Sequence, residues 1–118
     1  MVRQPGAYLG TEIGEKWWRR YGKEGLFMRG NGKYWLDGKG LYFLRYLTRK
    51  PLFIPFSNMR EIRLVTWHAG KWIPGRSIVK ILWERNGKAL SSGFVVSRSS
   101  GETLRFKELI EGMIHSSE

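Results

Sequence analysis

The stretch from Lys33 to Phe56 constrains the fold most. It reads KYWLDGKGLYFLRYLTRKPLFIPF, short apolar runs broken at DGKG and TRKP. Asp37-Gly38 tolerates positive φ and so predicts a tight hairpin turn. Pro51 sets φ and lacks an amide donor, which makes the second break a strand boundary. Three adjacent antiparallel strands account for this pattern, as a meander onto which the remaining chain adds further strands.

Similar reasoning extends in both directions. Residues 1–10 contain Pro5, Gly6 and Gly10 and read as a loosely packed arm. Thr11 is placed to cap a short helix running to Tyr21, with Trp17 and Tyr21 on one face and Gly22 and Gly25 ending it. Strands are expected over 26–28, 33–36, 41–47, 52–56, 61–67, 78–84 and 89–96. Pro55 marks its strand as an edge or bulge. Ile62 and Leu64 alternate with Glu61 and Arg63, the period of a half-buried strand. Asn86-Gly87 is a strong hairpin signal, and Ser91, Ser92 and Gly93 predict a bulge or kink in the last strand. A helix is expected over 102–115, with Phe106, Leu109, Ile110 and Met113 as its apolar stripe. These elements imply a mainly β domain: seven strands in two packed antiparallel sheets or a partly open barrel, capped by a C-terminal α-helix. An arm with a short N-terminal helix over 1–24 would precede the domain at 25–118.

A chain of 118 residues is expected to form one domain. It has no cysteine, which excludes disulfides and thiolate metal sites and suits a cytoplasmic address. No apolar run approaches the ~18 residues that span a bilayer, and the N-terminus shows no continuous apolar segment of a signal peptide. Charge is the strongest bulk signal: 21 Lys plus Arg against 10 Asp plus Glu, a net +11. The excess runs along the whole chain and favours a polyanionic partner, although a basic surface also serves solubility alone.

No catalytic set emerges. His68 and His115 are the only histidines, and neither has the patterned carboxylates that a metal or a nucleophile needs. His68 reads as structural or merely exposed, Asp37 as a turn former, and no phosphate-cradling glycine motif occurs. No cofactor is expected. Three basic-aromatic clusters remain. Trp17-Trp18-Arg19-Arg20-Tyr21 suits contact with a partner or membrane, or simple docking of its helix. Arg45, Arg49 and Lys50 flank one strand turn; Lys71, Trp72 and Arg76 lie in a long loop. These two clusters form an anion or partner site if they converge at one end of the barrel; apart, each protects an edge from self-association.

Tyr34-Trp35-Leu36-Asp37 leading into Gly40-Leu41-Tyr42-Phe43, then Ile54-Pro55-Phe56 and Ile62, resembles the GRAM and bacterial PH-like domains over about residues 25 to 115. The spacing from Pro55 to Ile62 is longer than that pattern. The resemblance implies a PH-like barrel with a C-terminal helix, and a binding or scaffolding module rather than an enzyme. Lipid-binding PH domains use a basic loop between their first strands, and Gly30-Asn31-Gly32 is a poor match for it. The leading expectation is a module for a protein partner or an anionic lipid surface, cytoplasmic and able to associate peripherally with membrane. The alternatives are a nucleic-acid-binding protein and a structural protein that self-associates through the N-terminal aromatic helix.

Overall fold

The computed structural model describes residues 2–22 and 28–116. Its strands are β1 Gln4–Ile13, β2 Lys16–Arg20, β3 Gly30–Leu36, β4 Gly40–Arg45, β5 Leu52–Pro55, β6 Met59–Val65, β7 Trp67–His68, β8 Lys71–Trp72, β9 Ile78–Arg85 and β10 Lys88–Val95; a single helix, α1, spans Ser100–Ser116. The main sheet runs β5-β4-β3-β1-β10-β9-β6, antiparallel throughout, with β2 paired to the far end of β1. β7 and β8 form a separate hairpin.

β1 is the hinge of the sheet. Its first half, Gln4 to Tyr8, pairs with β3, and Ala7 to Ile13 pair with β10. The change of partner falls at a bulge between Tyr8 and Gly10, opposite Phe94 and Gly93. A bulge bends a strand and raises its twist, which lets one strand serve two sheet halves. The irregularity expected near Gly93 therefore belongs to the neighbouring strand.

Two N-terminal expectations are corrected. The segment read as a loose arm is most of β1, hydrogen-bonded on both sides. The segment read as a short helix is the end of β1, a turn at Gly14-Glu15 with φ of 60° and 59°, and β2. Trp17-Trp18-Arg19-Arg20 satisfies its backbone by pairing, and this decides for strand in a segment too short to hold a helix alone. The expected strand at 26–28 lies largely outside the described residues.

Inward-facing residues alternate along each strand. Tyr8, Tyr34, Leu36, Leu41, Phe43, Leu52, Ile54, Val79, Ile81, Trp83, Leu90 and Phe94 build one core, joined by Phe106 and Ile110 of α1. A polar chain crosses its inner wall. The Tyr8 hydroxyl bonds Thr11 Oγ1, Thr11 Oγ1 lies 2.6 Å from Ser92 Oγ, and Trp83 Nε1 donates to Ser92 Oγ at 2.9 Å. Ser91 points the opposite way, so two serines in mid-strand serve the two faces of the sheet.

The path ends at β5 and β6 without a ladder between them, so the barrel stays open. Pro55 lies on that edge strand, as expected. α1 packs near the opening, against β6 and the 3-10 turn Phe56–Asn58. Its buried residues are Thr103, Phe106 and Ile110, with Met113 and Ile114 packed beside them. Leu109, counted on the stripe, is 52% exposed. Ser99 caps the helix by accepting from the Glu102 amide at 3.2 Å, while Glu102 accepts from the Ser97 hydroxyl at 2.8 Å.

Candidate functional site

Residues 66–77 leave β6 and fold back over the outer face of the sheet before β9 begins. Beneath them Leu9, Ile78 and Val95 form a second small core, with Ala7, Val65 and Ile73 packed on it. The β7–β8 hairpin is the working part of this flap. Ala69 and Gly70 take φ of 52° and 78°, the left-handed pair of a two-residue hairpin turn. Left-handed φ is unfavourable for alanine, and the surroundings hold it in place. The Ala69 amide donates to Glu12 Oε2 at 2.9 Å, and its carbonyl accepts from both Arg20 and Arg29.

His68 fixes the hairpin to the sheet. Gly10 and Gly93 are register partners on β1 and β10; the missing side chain of Gly93 makes room for the imidazole, and that of Gly10 for the Arg20 and Arg29 side chains. A Cβ on Gly93 would stand 2.7 Å from His68 Cγ. His68 Nε2 lies 2.9 Å from the Gly10 carbonyl, which can only accept, so Nε2 carries the proton. Nδ1 faces Glu12 Oε1 at 3.6 Å and makes no hydrogen bond. Glu12, 2% exposed, also accepts from the Ser91 hydroxyl at 2.9 Å and has Lys80 Nζ at 3.5 Å.

Burial lowers the His68 pKa, against the raising effects of Glu12 and the Gly10 carbonyl. Burial by itself would raise Glu12, but the His68 ring, the Ser91 hydroxyl, the Ala69 amide and Lys80 outweigh it and hold the carboxyl below its ordinary value. Burial thus disfavours the imidazolium at His68, while the polar and charged partners of Glu12 favour its carboxylate. Apart from His68 Nδ1, the polar atoms of the cluster tie the hairpin to the sheet, and His68 is buried there, not exposed.

What the flap presents outward is different chemistry. Trp67 and Trp72 are cross-strand partners, 49% and 65% exposed. His68 and Lys71, the next pair, take the other face, with the histidine buried and Lys71 exposed. Leu64 and Trp67 line a cleft of about 440 Å³ with Glu15 and Lys80.

The residues singled out in the sequence are distributed as follows. Lys71 and Trp72 share the hairpin with Trp67, a residue that sequence reading placed at the end of the preceding strand. Arg76 lies apart from them, half-buried in a cleft of about 430 Å³ with Tyr34, Arg98 and Glu102, where β1 and β10 diverge. Arg45 lies along Gly30, with Nη2 4.0 Å from Met28 Sδ. Arg49 and Lys50 are exposed in the β4–β5 turn. No hydrogen bond or ion pair between described residues joins the two clusters. On β2, Trp18 and Arg19 are exposed, Arg20 reaches the Ala69 carbonyl, and Tyr21 packs against the core with Lys88 over its ring.

Sequence reasoning also missed a row of aromatics on the outer face of β3-β4-β5. Arg3 lies 4.0 Å from the Trp35 ring centroid, Trp35 stacks on Tyr42 at 5.3 Å, and Tyr42 stacks on Phe53 at 4.6 Å. The signal was available: these residues occupy the off-beat positions of strands whose other positions are core. Their ring faces are spent on one another, which stabilises the sheet surface.

Among the described residues no helix is long and apolar enough to cross a membrane. No curated protein matches the chain. The bent β1, the antiparallel sheet it folds into two halves, and the C-terminal helix at the opening are accompanied by a match of residues 1–108 to the model of the bacterial PH domain-like family, to which this chain belongs.

Proposed function

We propose that this domain is a non-catalytic binding module that engages an anionic lipid surface through its basic exterior. PH-like domains are generally binding modules, and the GRAM-like pattern of Tyr34 to Phe43 supports the same class. The carrying observation is the imbalance of ion pairing. Carboxylates are committed to Arg60, Arg63, Lys80 and Lys107. Arg49, Lys50 and Lys71 are exposed and take part in no ion pair among the described residues. A net charge of +11 with cations left unopposed attracts a polyanionic surface. Nucleic acid is the weaker choice, because the aromatic row on the outer face of the sheet, Trp35, Tyr42 and Phe53, is engaged in stacking within itself.

Co-sedimentation with vesicles of phosphatidylcholine, with and without phosphatidylserine, tests the proposal. Binding is expected only with the anionic lipid, falling as salt screens the charges and falling further in Arg49→Glu/Lys50→Glu. Equal, negligible binding to both vesicles at low salt would refute it, and retention on a random oligonucleotide alongside that result would favour nucleic acid.

A further inference from the structure

We infer that the β7–β8 hairpin is the element that enters the membrane interface, with Trp67 and Trp72 as its anchors; this rests on the anionic-surface reading above. Two-residue strands have one face each way. The hairpin spends its inner face on the His68 slot and leaves two indoles, paired across the strands, on the outer one. An indole half in water is an ordinary surface residue when alone. Two adjacent ones on a rigid projection form an amphipathic wedge, with a large apolar ring and an N–H that stays in the polar zone.

Charge selects the occupant. From Leu64 to Trp83 the sequence contains no Asp or Glu and carries Lys71, Arg76 and Lys80. Lys71 is exposed beside the indoles, and the exposed carboxylate that shares a cleft with Trp67, Glu15, is already paired with Arg63 and Lys80; such a surface matches an anionic headgroup layer over an apolar boundary. The anchoring is preorganised. Ala69 is held by Glu12, Arg20 and Arg29, and His68 by the Gly10 carbonyl, so insertion orders no new backbone. Electrostatic attraction brings the domain to the surface, and the indoles supply the part of binding that salt does not remove.

The chain has no cysteine, so a single one can carry a polarity-sensitive nitrobenzoxadiazole label. With full-length protein, a label at Thr66→Cys beside the hairpin should brighten and shift blue on phosphatidylserine vesicles, and one at Lys39→Cys in the β3–β4 turn should not. Trp67→Ser/Trp72→Ser, checked for unchanged circular dichroism, should weaken partitioning at moderate salt by roughly tenfold or more. Its low-salt binding should change much less. If wild-type protein binds anionic vesicles but the Thr66 label stays aqueous and the double variant binds equally, the hairpin assignment fails while the surface reading stands. If wild-type protein binds no vesicles, both fail.

Discussion

At the scale of single residues the flap depends on an absence. Gly93 has no side chain because the His68 ring occupies that space. Gly93→Ala should destabilise the protein by about 2 kcal/mol or more, through overpacking against the buried His68 ring. In a His68→Ala background, the same substitution should cost much less, and a double-mutant cycle by urea denaturation reads the difference. Equal costs in both backgrounds would show that the ring does not occupy the slot. Neither glycine nor histidine signals this from sequence. They stand far apart in the chain, and only the fold of residues 66–77 over the sheet makes them neighbours.

Acid should act on the same cluster. The folded His68 has a pKa below the ordinary 6.5, so under acid the unfolded chain takes up a proton that the folded chain refuses. Stability from this group is therefore complete above pH 6.5 and declines as pH falls below it. Glu12 adds a second decline below 4.5, where the unfolded carboxyl protonates before the folded one. Thermal melts across this range should show the upper step flattened in His68→Ala. An unchanged profile in that variant would contradict the lowered pKa of the buried His68 ring. Lys80, Glu15, Arg20 and Arg29 face the cluster or its hairpin and set its field.

At the scale of elements, the meander from β3 to β5 was legible because its turn chemistry and its alternation agree. Asp37 makes its turn by a different device from the one expected. Its carboxylate accepts from the Lys39 amide at 2.8 Å and the Gly40 amide at 3.2 Å, a side-chain mimic of a backbone turn. Asn86-Gly87 does use positive φ, 51° and 77°, as read. α1 was legible from its period, apart from Leu109. β1 was not legible. Pro5, Gly6 and Gly10 look like punctuation, yet Pro5 and Gly6 pair with Lys33 and Gly32, and Gly10 lies at the bulge. Removing residues 2–9 should therefore unfold the domain, seen as loss of a cooperative melt, whereas a loose arm would come away at little cost. A preserved melting transition in the truncated chain would place β1 outside the cooperative unit.

At the scale of the whole molecule, the sequence by itself determined a mainly β domain with a C-terminal helix, its hairpin turns and a strongly basic exterior. Those are local properties: turn residues choose φ, alternation chooses a face, and charge needs no partner to be counted. Tertiary structure alone decided that Gln4–Ile13 is a strand, since its hydrogen bonds come from β3 and β10, and that strand in turn pairs β2. It also decided that Trp67 and Trp72 are exposed together while His68 between them is buried. A two-residue strand is too short for any periodicity to show. Its orientation comes from what lies beneath it, the Glu12 carboxylate, the Gly10 carbonyl and the space left by Gly93, contributed by strands at opposite ends of the chain.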